Sequence, residues 1–186
     1  MKIPISPEIV RACEEFAEKR AKSSEDLYRL RGEASYQKMK ADIYTGALAE
    51  FAVYEYLKSK NIKVSPPDLN IYEVRQKSFG ADLKGETKNF HVKSQTVEAA
   101  TKYGASWLFQ NSDKILTLPS ENEYLVFCLV EGSVVDIQAI ISNIELVEAN
   151  LTKKPKIPKY ATTKSAIYLQ DVLGSNLNKW NLPEAL

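Results

Sequence analysis

The chain has 186 residues, 44% of them hydrophobic, with 25 Lys+Arg against 24 Asp+Glu and a formal net charge of +1. That length suits one domain spanning 1–186 with a sizeable core. Near-neutrality gives no global pull toward nucleic acid or membrane, so an anionic partner must be met by a local patch.

A single histidine and two distant cysteines exclude a zinc cluster built from this chain alone, a two-histidine zinc protease motif and a multi-histidine nuclease centre. The seven glycines form no G-x-x-x-x-G-K phosphate loop. No stretch approaches the ~20 apolar residues of a membrane span, and Met1–Ile5 has no secretory h-region. Cys13 and Cys128 lie in apolar periodic segments and read as buried, reduced thiols, which points to the cytoplasm.

In chain order, Ile9, Cys13 and Phe16 predict a helix from Pro7 to about Leu30, with a break and a new N-cap at Ser23-Ser24-Glu25-Asp26. A second helix is expected from Met39 to Lys60. It is followed by a loop at Val64–Asp68, where paired prolines cannot continue a helix. Strands are expected at Ile71–Arg75, Ala81–Lys84 and Phe90–Thr96, then a short helix at Val97–Lys102. Further strands read at Ser106–Phe109, Tyr124–Val130 and Val134–Ile141, the second with the nearly continuous apolar run of a buried central strand. Ile144–Leu151 reads as a helix and Ala166–Leu169 as a last edge strand.

Two places carry chemistry. On the second helix, with Ile43 as origin and about 100° per residue, Ala47, Phe51, Val53, Tyr54 and Leu57 lie within about 80° and Glu50 falls near −20°. A carboxylate amid an apolar arc is expensive unless it is paired, hydrogen-bonded or bound to metal. Gly46 on the same face would let the helix approach a sheet. In the hairpin from Gly80 to Gln95, a loop at Gly85–Lys88 pairs Lys84 with Asn89 and stands Asp82 opposite His91 and Lys93 opposite Gly80. Strand alternation then puts His91, Lys93 and Gln95 on one face, and Phe90 and Val92 on the other. Glu86 reads as an exposed turn residue.

The order Gly46-Ala47-Leu48-Ala49-Glu50, Gly80-Ala81-Asp82, His91-Val92-Lys93 resembles the PD-(D/E)XK superfamily, which includes restriction enzymes, Holliday-junction resolvases and repair exonucleases. The resemblance covers about residues 43–130. It implies an α/β fold with a restriction-endonuclease-like αβββαβ core, a mixed central sheet flanked by helices, here with an extra N-terminal helix. It also implies Asp82 as metal-bridging carboxylate, Lys93 as the group that orients the attacking water, and Glu50 as auxiliary acid, with Mg2+ or Mn2+ as cofactor. Gln95 would help position water or phosphate.

One departure stands out: His91 occupies the position two before the lysine, where an acid is the rule. Imidazole suits softer ions than Mg2+. Three readings follow. His91 ligates Mn2+ or another transition metal beside Asp82 and Glu50; Glu50 supplies the missing oxygen; or activity is reduced or lost.

From Leu151 to Leu169 there are five lysines (Lys153, Lys154, Lys156, Lys159 and Lys164) and no Asp or Glu, punctuated by Pro155, Pro158 and Tyr160. Such a loop suits phosphate contacts, which fix register without reading sequence. Trp107 and Phe109 read as core ahead of base-stacking residues.

The expected activity is a metal-dependent endodeoxyribonuclease acting on duplex or branched DNA, as a homodimer for cutting both strands. Two rivals remain: a catalytically inactive DNA-binding module of the same fold, and a metal-independent ribonuclease using His91, Lys93 and a tyrosine such as Tyr54.

Overall fold

A computed structural model describes residues 1–30, 36–72 and 80–177. Its elements are β1 (Lys2–Pro4), α1 (Pro7–Leu30), α2 (Tyr36–Ser59), β2 (Leu83–Lys84), β3 (Asn89–Thr96), α3 (Val97–Tyr103), β4 (Ser106–Gln110), β5 (Glu123–Glu131), β6 (Val134–Ser142), α4 (Asn143–Ala149), β7 (Lys164–Tyr168) and α5 (Leu169–Gly174). The fold is mixed α/β. A five-stranded sheet runs β1-β6-β5-β3-β2, and β4 pairs with β7 in a second, two-stranded sheet. Among the described residues only the β3–β5 pair is parallel, reached by a crossover through α3 and β4, since parallel neighbours cannot be joined by a tight turn.

Side chains alternate across β5 and separate two cores. Tyr124, Val126, Cys128 and Val130 face the cluster shared with α1 and α2. Leu125, Phe127 and Leu129 face a second cluster with Trp107, Phe109, Leu146, Ile167 and Val172, from β4, α4, β7 and α5. A bulge against Phe127/Cys128 rephases β6, so that Ile137 and Ile140 both turn toward the α1–α2 side.

Cys13, Ala17 and Ala21, spaced four apart on α1, are fully buried, and their small size brings α1 close against α2. The second helix is therefore covered by α1 on one side and by the sheet on another.

Several expectations change. Helix α1 runs unbroken through Ser23, whose hydroxyl donates back to the Arg20 carbonyl at 3.0 Å instead of capping a new helix. The buried residues of α2 are Met39, Thr45, Ala47, Leu48, Ala49, Ala52, Val53, Tyr56 and Leu57, while Ile43, Phe51 and Tyr54 are only half-buried. Glu50, itself half-buried, lies between buried Leu57 and buried Ala47, about 20° from the first and about 60° from the second. The strand expected at Ala81–Lys84 is only Leu83–Lys84. Of Ile71–Arg75, Ile71 and Tyr72 are irregular, and the rest lies outside the described residues. The last strand pairs with β4 away from the main sheet, and Leu169 opens α5. Strand β1 was not anticipated.

Candidate active site on the β3 strand

The β2–β3 turn has the expected register, Leu83 with Phe90 and Lys84 with Asn89. Gly85 makes it possible: a Cβ there would come within 2.8 Å of the Lys63 and Lys88 carbonyl oxygens. The paired register ends at Leu83. The Asp82 amide donates to the Phe90 carbonyl at 3.1 Å, and the Asp82 Oδ2 accepts from the Val92 amide at 2.7 Å. A side-chain oxygen thus takes the place of the next strand carbonyl. Asp82 stands along the β3 edge at Val92, and not across a ladder rung from His91.

The two faces of β3 are as alternation requires. Phe90 stacks on Tyr124 with centroids 5.4 Å apart, and Val92 packs against the α1–α2 core. His91, Lys93 and Gln95 face the β4–β7 side. Lys93 Nζ lies 5.1 Å from the Phe109 ring centroid, an ammonium over a π face. Gln95 also serves the fold: its Oε1 accepts from the Ser106 amide at 2.9 Å and its Nε2 donates to the Gly104 carbonyl at 3.3 Å. These bonds clamp the α3–β4 junction.

His91 has a partner that sequence reasoning did not supply. Its Nε2 lies 2.6 Å from Glu123 Oε2, and the Asn89 side-chain amide donates to Glu123 Oε1 at 2.9 Å. An ionised carboxylate only accepts, so the imidazole nitrogen carries the proton. Glu123 sits level with Asn89 in the parallel β3–β5 register.

Glu50 is half-buried on α2, and its charge bears on Cys13 of α1. Burial first, then Glu50 and Glu14, push that thiol up to about 11. Tyr54 also packs with the α1–α2 core, across the sheet from His91 and Lys93. The proposed ligands Asp82, Glu50 and His91 are not drawn together: among the described residues, no three His, Cys, Asp or Glu side chains are grouped to hold a metal ion.

The basic segment is only partly available. Lys153 pairs with Asp171 at 2.7 Å, and its backbone bridges to Ala166. Lys159 and Lys164 both lie over the Tyr160 ring, at 5.5 and 4.5 Å. Lys156 lies over Tyr168 at 5.1 Å, beside Gly104 at the Gln95 end of the polar stripe. Lys154 and Lys156 are exposed. Trp107 and Phe109 are core, as expected: Trp107 stacks on Phe127 at 4.5 Å and donates Nε1–H to the Cys128 carbonyl at 3.1 Å.

No helix among the described residues is long and apolar enough to cross a membrane. No protein-family model, no curated protein and no solved structure matches the chain.

Proposed function

We propose that the chain is an endodeoxyribonuclease of the PD-(D/E)XK type, hydrolysing phosphodiester bonds of duplex or branched DNA with Mg2+ or Mn2+. The observation that carries this reading is the Asp82 carboxylate on the β3 edge at Val92, the residue adjoining Lys93. The acid thus reaches the β3 residue next to the lysine that the resemblance pairs with it. The α2, β2–β3, α3, β5 order, with β5 parallel to β3, supports the restriction-endonuclease-like core that the resemblance implies.

Mg2+ is commonly held by one or two carboxylates together with waters and substrate phosphates. Asp82 suits that arrangement better than the three-residue set read from the sequence. A bound ion would supply charge neutralisation and a more acidic water. Lys93 adds a point cation for the phosphate at the pentacoordinate stage. Exposed Lys154 and Lys156 would contact the flanking backbone, and a symmetric pair of chains would bring two sites to a duplex.

The test is incision of supercoiled, linear and branched DNA with Mg2+, with Mn2+ and in EDTA, by wild type, Asp82→Asn and Lys93→Ala. Metal-dependent nicking lost in both variants is expected. A wild type that retards DNA in a gel but is as inert as Lys93→Ala with either ion would make this an inactive binding module. Cleavage of RNA that persists in EDTA and stops at a 2′-deoxy scissile position would replace the reading with metal-free ribonuclease chemistry.

A further inference from the structure

We propose that Glu123 is a positioning residue of this site: the carboxylate absent from position 91 is carried by the neighbouring strand and acts through His91. The inference rests on the nuclease reading and extends it to a residue outside the motif.

Three observations converge. Both Glu123 oxygens are engaged from β3, Oε2 by His91 Nε2 at 2.6 Å and Oε1 by the Asn89 amide at 2.9 Å, which fixes the plane of the carboxylate. The His91 and Glu123 side chains are 20% and 24% exposed: shielded enough that water competes weakly for the bond, yet open to a substrate. The inward residues that follow Glu123 on this face of β5, Leu125, Phe127 and Leu129, are apolar and belong to the second core. The polar pair thus stands where that core ends.

With Nε2–H committed to Glu123, the ring's orientation is set and Nδ1 is the nitrogen left for a phosphate-bound water or a substrate group. This gives His91 a fixed polar role beside Lys93 without making it one of three metal ligands.

The chain's single histidine makes the test specific. In protein labelled with 15N at histidine, the His91 Nε2–H proton should be visible and slow to exchange in wild type, and lost to exchange in Glu123→Ala. In the incision assay, Glu123→Gln, nearly the same shape, should lower kcat about 10²-fold with KM within about twofold. Asn89→Ala should show a smaller loss in the same direction, and Glu121→Gln, on the exposed approach to β5, should cleave like wild type. If wild type cuts DNA and both Glu123 variants cut it equally well, the inference falls and the nuclease reading stands. If wild type cuts nothing under any condition, both fall. An Nε2–H signal unchanged in Glu123→Ala also overturns the pairing.

Discussion

The Asp82 carboxylate and the Val92 amide meet at 2.7 Å, so a side chain completes an edge that the short β2 strand leaves open. Asp82→Ala removes a charged acceptor from a half-buried amide and should lower stability by about 1.5–3 kcal/mol. Asp82→Asn, which keeps an acceptor oxygen, should lose less. Urea unfolding measures both, and hydrogen exchange at Val92 should accelerate in the alanine variant alone. Equal stability of Asp82→Ala and wild type would show that this bond does not hold the edge.

Charge and packing can be separated at Lys93. Its ammonium lies over Phe109, so Lys93→Met keeps most of the stem while removing the cation. The expected thermal cost is small, on the order of 0.5–1 kcal/mol for a lost cation–π contact, whereas incision should drop to the level of Lys93→Ala. Retained cleavage by the methionine variant would remove Lys93 from the chemistry.

Glu18 ties α1 to α2. It accepts from Lys40 of α2, Lys22 and the Tyr36 hydroxyl, and these bonds, Lys40 first, hold its carboxyl down at about 2 against an ordinary 4.5. A depressed folded-state value means that the contribution is complete above the unfolded value and disappears as pH falls through the folded one. Glu18→Gln should therefore melt below wild type at pH 7, with the gap closing between pH 4.5 and about 2. Parallel melting curves across that range would show that the hub contributes nothing.

Neither cysteine should react in the folded protein. Burial pushes the Cys13 thiol to about 11 and raises that of Cys128 further still, and both are free and buried. Iodoacetamide at pH 8 should leave the native mass unchanged and add two labels in urea, since the thiolate is the reacting form. Rapid native labelling of Cys13 would mean that the α1–α2 seam opens readily.

What could be read from the sequence depended on how local its cause was. The β2–β3 register follows from a glycine turn, and the division of β3 into a polar and an apolar face follows from alternation, so both were legible. On α2 the buried face is wider than the arc read from Ile43, because a helix covered from two directions has no single apolar arc to read. Glu123 was invisible for a different reason. Its meeting with His91 depends on a parallel pairing across residues 97–122, and no turn or period announces that register. The Ser23 hydroxyl and the Asp82 carboxylate each satisfy the backbone locally, where propensity predicted a break and a longer strand.

The connection between β5 and β6 is a tight Gly132-Ser133 turn, with Gly132 at φ +58°, whereas Ile3 of β1 must find Val135 from the far end of the chain. Closing a short loop sacrifices far less chain entropy than closing a long one. The central hairpin is thus expected to act as the folding seed, with β3 added later and β1 last. Pulse-labelled refolding should protect the amides of Leu125 and Ile141, which face each other across this hairpin, before that of Ile3, and early protection of Ile3 would mean that the order of assembly is not set by loop length.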